Sequence, residues 1–247
     1  MIRRGRKEPA APVATGGIAE LHSALAHERS ERIAVEHALD LAREQLAWAK
    51  AALADTQAHE QRARHLAWHD PLTSLPNLRY FQARLKDRVA HARPKRRSLA
   101  VFFIDLDGFK QINDQHGHRV GDALLRITAA RMRHAVRAAD LVGRIGGDEF
   151  ACIIDGLPSR EQLRHIACKL FGSICAPMTI GDRPYRVRPS IGIALFPDDG
   201  ATPHSLLEHA DAAMYSAKRH QIGYSFFDPA LHRANAATPR PQHAVAS

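Results

Sequence analysis

Nine residues, Ser98 to Leu106 (SLAVFFIDL), form a nearly continuous apolar run. A run this short has no polar face to offer water, so it predicts a strand buried at the centre of a sheet. Helical patterns lie on either side of it. Leu78 to Val89 reads as a helix, with Thr73 and Asn77 offering capping oxygens, and Val120 to Val136 carries helical spacing at Leu124, Ile127, Thr128 and Ala135. The short apolar runs Leu141 to Ile145 and Phe150 to Ile154 flank Gly146-Gly147-Asp148-Glu149 and read as a hairpin. Pro158 opens a helix to about Ile174, Arg186 to Phe196 supplies strands, Pro203 to Arg219 another helix, and Tyr224 to Phe227 a last strand. Strands and helices alternate, but the hairpin argues against a purely parallel sheet. The expected class is α+β.

Ahead of this domain, Ile18 to Ala67 contains neither Pro nor Gly. Ile18, Leu21, Leu25, Val35, Leu39, Ala42, Leu46, Ala49 and Leu53 recur at heptad positions, interrupted by Glu28 and Arg32. The pattern predicts a long amphipathic helix able to pair as a coiled coil; the plainer alternative is a single helix packed on the following domain. Asp70-Pro71 ends it, because proline disfavours helix in the preceding residue. The expected organisation is a disordered basic segment 1–17, a helical stalk 18–67, a catalytic domain 68–230 and a disordered tail 231–247.

At 247 residues the chain has room for one sizeable domain and extra segments. No apolar run approaches the roughly 20 residues that cross a bilayer, and no signal sequence follows the basic N-terminus. Cys152, Cys168 and Cys175 are an odd count without metal-type spacing, which predicts free thiols and a cytoplasmic location. The net charge of +9 favours polyanions but also suits a solvated arginine-rich surface, so it decides nothing.

The chemistry gathers at two places. The apolar strand delivers Asp105 and Asp107 at its end, and the hairpin delivers Asp148 and Glu149. Each alone reads as a surface turn acid, whereas four together, with glycines that admit a close backbone approach, suit Mg²⁺ or Mn²⁺ and a phosphate.

These residues also carry a family resemblance. Gly146-Gly147-Asp148-Glu149-Phe150 spells the signature of the GGDEF domain. Asp70-Pro71-Leu72-Thr73 resembles the family's opening motif, IDLDGFKQINDQHGHRVGD (residues 104–122) its metal-and-guanine segment, and DAAMYSAK (residues 211–218) its last helix. Four ordered motifs over residues 68 to 227 identify a diguanylate cyclase-like chain. The resemblance implies a palm-like domain, a mostly antiparallel sheet flanked by helices. It implies condensation of two GTP into cyclic di-GMP with loss of two pyrophosphates, using two metal ions per site.

It also implies roles. Asp105, the Leu106 carbonyl, Asp148 and Glu149 hold metal, with Asp148 as general base and Glu149 beside the same ions. Asn113 and Asp122 read guanine, Lys110 and Lys218 contact the triphosphate, and Gly146 and Gly147 admit the nucleotide. Adenine lacks the 2-amino group and would leave Asp122 unpaired, a costly state. Arg137 and Asp140 match the product-inhibition site, where Arg can grip O6 and N7 of guanine. His116 and His118 are structural.

The chain departs from the pattern in two places. After Lys218 the family commonly has Gly-Arg-Asn or Gly-Lys-Asn, where this chain has Gln221-Ile222-Gly223, so a phosphate-binding cation is missing and weaker GTP binding is expected. Ser74 and Leu78 replace the usual Gly and Arg. The expected partners are GTP, cyclic di-GMP as product and feedback ligand, a second copy through the stalk, and an unknown upstream sensor; no nucleic acid or membrane span is expected. The rival readings are an inactive cyclic di-GMP receptor, a coiled-coil interaction module, and a cyclase with a mixed purine product.

Overall fold

The computed structural model describes residues 15–156 and 159–230. Residues 1–14 and 231–247, both expected to be disordered, and Pro158, expected to open a helix, lie outside the described residues. The chain divides into two compact units between Ala63 and Arg64.

Helix α1 spans Thr15–Trp68. It starts three residues before the expected Ile18, since Gly16 and Gly17 fall in a first turn whose N–H groups have no helical partner anyway. In the first unit the apolar seam is open to water: Leu21, Leu25, Val35, Leu39, Leu46 and Leu53 are all exposed in the single chain. Exposed ion pairs such as Arg32–Glu36 at 3.4 Å add only a few tenths of a kcal/mol each. Such a helix is stabilised chiefly by covering its seam.

The second unit is built around β1 (Leu99–Asp107). In sequence follow α2 (Leu78–Ala92, before the strand), α3 (Phe109–His116), α4 (His118–Ala135), β2 (Leu141–Gly146), β3 (Glu149–Asp155), α5 (Arg160–Cys175), β4 (Met178–Ile180), β5 (Arg183–Tyr185), β6 (Arg188–Phe196), α6 (Pro203–His220) and β7 (Tyr224–Phe226). The sheet order is β2-β3-β1-β6-β7, with β4 and β5 forming a separate hairpin. Every pairing in the sheet is antiparallel except β6 with β7. The class is α+β, as expected.

β1 alternates between two apolar layers. Ala100, Phe102, Ile104 and Leu106 face a cluster that includes Leu124 of α4 and Leu163 of α5. Leu99, Val101 and Phe103 face one that includes Phe81 of α2 and Leu206 and Met214 of α6. Helix α6 lies so close on β6 that a Cβ at Gly192 would meet Ala210 O at 2.0 Å and Met214 N at 2.1 Å. Glycine is therefore required there, and it seats α6 directly over the sheet.

Elements invisible in the sequence are the short ones. Helix α3 spans eight residues between Gly108 and Gly117, too few to display a period. β4 and β5 have three residues each.

Candidate active site

The two layers differ at the end of β1. Asp105 continues the α6-facing layer and is only 5% exposed. Its Oδ1 accepts a hydrogen bond from Lys218 Nζ at 2.6 Å. Burial pulls the Lys218 ammonium pKa down. The hydrogen bond and charge of Asp105, with Asp107 and Asp148, outweigh that and hold it above the ordinary lysine value. One ammonium thus lies in the field of three carboxylates from two separate segments.

Asp107 lies half-buried at the same rim. Burial raises its carboxyl pKa against the opposing Ser190 hydrogen bond and the charge of Lys218, with Asp105 adding to the rise and Arg188 opposing it. Ser190 Oγ donates to both its oxygens, at 2.9 and 3.1 Å.

Glu149 is the Cα partner of Asp105 across β1 and β3, so both side chains leave the same face. Ile191 N–H donates to Gly223 O at 2.9 Å, and Phe227 N–H donates to Ile193 O at 2.7 Å. Ile191 and Ile193 therefore face β7, and Ser190 and Gly192 face β1. By the same alternation Asp105 directs its backbone groups toward β6, and Leu106 directs its carbonyl toward β3 and the turn before it.

No group of three or more His, Cys, Asp or Glu among the described residues is gathered closely enough to hold a metal ion. The four acids do not form a ready-made cage, and Lys218 is bonded to the Asp105 carboxylate. The donor set is nonetheless all oxygen, and buried Asp105 already holds a cation. Both features suit a hard divalent ion whose remaining ligands come from a phosphate.

The Gly-Gly turn is held by a residue that the sequence did not single out. Gly146 closes β2, and Gly147 turns the chain with φ of 48°. Arg144 NH1 donates to both oxygens of Asp70 at 3.0 Å, while its Nε and NH2 donate to Gly147 O at 2.9 and 2.6 Å. Asp70 Oδ1 also accepts from Thr73 N–H at 2.8 Å and Thr73 Oγ1 at 2.6 Å. Burial raises the Asp70 pKa, but the bonds from Thr73 and Arg144 together outweigh it and leave the carboxyl below its ordinary value. Thr73 serves Asp70 and not the helix; the cap of α2 is Asn77, whose Oδ1 accepts from Tyr80 N–H at 3.1 Å. An arginine in an otherwise apolar strand was the available signal.

Asn113 lies on α3 and Asp122 on α4. The Asn113 amide lies against the backbone of Gly121, where an added Cβ would meet its Oδ1 at 1.9 Å. That Oδ1 is buried and has no hydrogen-bond partner, an expensive state for an acceptor. Lys110 is exposed on the first turn of α3.

Arg137 is exposed, and its N–H donates to Asp140 Oδ2 at 3.0 Å, while Asp155 N–H donates to Oδ1 at 3.3 Å. Asp140 therefore fixes its own loop. Nearby, Arg88 pairs with Asp155 at 2.9 Å and lines a cavity of about 350 Å³ together with Arg84 and Arg97.

Each of the two departures from the family pattern includes one residue on costly backbone. Ser74 (φ 58°) and Gln221 (φ 54°) are left-handed, a conformation that favours glycine. Ile222 is 56% exposed. The three cysteines are free thiols, and no helix among the described residues is long and apolar enough to cross a membrane.

A mostly antiparallel sheet whose central strand ends in one buried and one half-buried acid, beside an arginine-held Gly-Gly turn, defines a GGDEF-type domain. The family described as "Diguanylate cyclase, GGDEF domain" matches residues 67–223, and the chain belongs to it. It is 45% identical over 172 residues to the bifunctional diguanylate cyclase/cyclic di-GMP phosphodiesterase MucR of Pseudomonas aeruginosa, covering 69% of this chain and 25% of that protein. It is 46% identical over 160 residues to diguanylate cyclase TpbB of the same organism, covering 64% of this chain and 37% of that one. The chain thus spans well under half the length of these relatives. The solved GGDEF domain of TpbB superposes with a TM-score of 0.66 at 42% identity, covering 68% of this chain and 99% of that one. The GGDEF domain of DgcB from Caulobacter crescentus, solved with cyclic di-GMP, gives 0.61 at 26% identity, covering 65% and 95%.

Proposed function

We propose that the protein is a diguanylate cyclase that joins two GTP into cyclic di-GMP and releases two pyrophosphates. The observation that carries this reading is the buried Asp105 held by Lys218 at the mouth of the sheet, with Glu149 opposite and Asp148 in the same field. Asp105, Asp148, Glu149 and the Leu106 carbonyl would hold two Mg²⁺ or Mn²⁺ ions, whose bound charge neutralises phosphate oxygens and lowers the pKa of the attacking 3′-hydroxyl.

The chain's own residues do the rest. Lys218 and Lys110 bind the triphosphate, and the Gly146-Gly147 turn lets it approach. The orphaned Asn113 Oδ1 suits a donor on guanine's edge, with Asp122 accepting from N1–H and the 2-amino group. Each 3′-oxygen attacks the α-phosphorus of the other nucleotide, its proton passes to Asp148, and pyrophosphate leaves. Each domain holds one GTP, so two copies must face each other across a two-fold axis.

The exposed α1 seam supports a homodimer that raises the effective concentration of one half-site beside the other. A sensor partner acting on that helix would set the activity in the cytoplasm. The Arg137–Asp140 loop, whose Ala139 carbonyl accepts from the cavity-lining Arg88 at 2.9 Å, supports cyclic di-GMP as a feedback ligand there. The reading is tested by incubating the protein with GTP and Mg²⁺ or Mn²⁺ and identifying the product. Cyclic di-GMP from wild type and none from Asp148→Ala supports it; no product from wild type refutes it. Removal of residues 1–66 should leave a folded monomer with much lower turnover, measured by the same assay and by light scattering.

A further inference from the structure

We propose that Arg188 is a second cation gripping the triphosphate, an assignment that rests on the GTP reading above. The mouth of the site carries Asp105, Asp107, Asp148 and Glu149, whereas Lys218 is engaged with Asp105 at 2.6 Å. A polyanion entering this rim needs further positive charge. Arg219 does not face it, because one residue along α6 turns a side chain about 100° away from Lys218. Ile222, in the next loop, carries no charge.

Arg188 opens β6 as the Cα partner of Asp107, so its Cα–Cβ bond leaves the sheet on the same face as those of Asp107 and Asp105. Asp107 feels the charges of both Lys218 and Arg188. The guanidinium is anchored at the end of α6: NH2 donates to the carbonyl O of Gln221, three residues beyond Lys218. Its other contact is the Phe171 ring, with Cζ 5.7 Å from the centroid. Nε and NH1 make no hydrogen bond among the described residues. A planar fork with two unspent donors, steadied by one bond and a ring, is suited to a phosphate's paired oxygens.

The strand thus supplies from below the charge that the loop after α6 does not supply from above. Nothing in the sequence motif points to this residue. It becomes visible only through the β1–β6 register, which brings position 188 level with Asp107.

The test is titration calorimetry of the full chain with the α,β-methylene analogue of GTP and Mg²⁺, comparing wild type, Arg188→Ala and Arg188→Lys. Arg188→Ala should bind the analogue about tenfold more weakly, the loss expected for one charge-assisted contact. Arg188→Lys, which keeps the charge but loses the paired donors, should fall between the two, about threefold weaker than wild type. Wild-type affinity in both variants overturns the proposal. Equal loss in both also overturns it, because the residue would then be acting through the Gln221 bond and the Phe171 contact. A wild type that binds no analogue sinks the GTP reading itself.

Discussion

The two faces of β1 share one backbone and one apolar core but end differently. On the α4–α5 side, Ala100, Phe102 and Ile104 run on to Leu106, which is fully buried. On the α6 side, Leu99, Val101 and Phe103 run on to Asp105 and Asp107, where Lys218 and Ser190 take over the packing. A shift of one residue in register would exchange the two faces and bury the acids in the apolar layer. Most of the strand is therefore apolar on both faces, and its acids stand only at the last two positions of one face. Changes on the two faces should separate stability from activity.

The largest expected effect lies at the acid end. Asp105→Asn should lower the rate of product formation about a thousandfold, or ~4 kcal/mol in the transition state. Its unfolding free energy should stay close to wild type, since Lys218 is partly exposed and can return to water. On the other face Phe102→Ala should cost about 3–5 kcal/mol of stability, measured by urea unfolding, with activity per folded molecule unchanged. A Phe102→Ala protein that folds normally but is inactive would break the comparison.

Smaller effects come from the supports around the site. Arg144→Ala should cost about 2 kcal/mol, because it strips Asp70 of its partner and frees the Gly147 carbonyl. The pH dependence has a definite sign. Asp70 has a lowered folded pKa, so its contribution is full above the ordinary carboxylate value of 3.8 and is lost as pH falls through the folded value. Acid unfolding of wild type below about pH 4 should therefore flatten in Arg144→Ala. Smallest of all, Ser74→Gly should raise the thermal midpoint through a gain of about 0.5 kcal/mol from relieved left-handed backbone.

Much of this was legible in the sequence for a physical reason. The apolar run of β1, the hairpin around Gly146-Gly147 and helix α6 each bury a continuous stripe, so their periods stand out. Asp105, Asp148 and Lys218 could be singled out as candidates because they stand within ordered motifs. What could not be read depends on partners distant in the chain. Arg144 is 74 residues from Asp70, and only the folded sheet brings them together. Ser190 becomes a partner of Asp107 through the β1–β6 pairing alone. Helix α3 stayed hidden because eight residues between two glycines show no period, although it carries both Lys110 and Asn113.

The most direct test of the account sets activity against stability in one pair of variants. Asp105→Asn and Phe102→Ala are each assayed with GTP and Mg²⁺ by chromatographic detection of cyclic di-GMP, alongside their unfolding curves. The account predicts a stable but silent Asp105→Asn and a weakened but competent Phe102→Ala. An Asp105→Asn protein that makes cyclic di-GMP at the wild-type rate would contradict it.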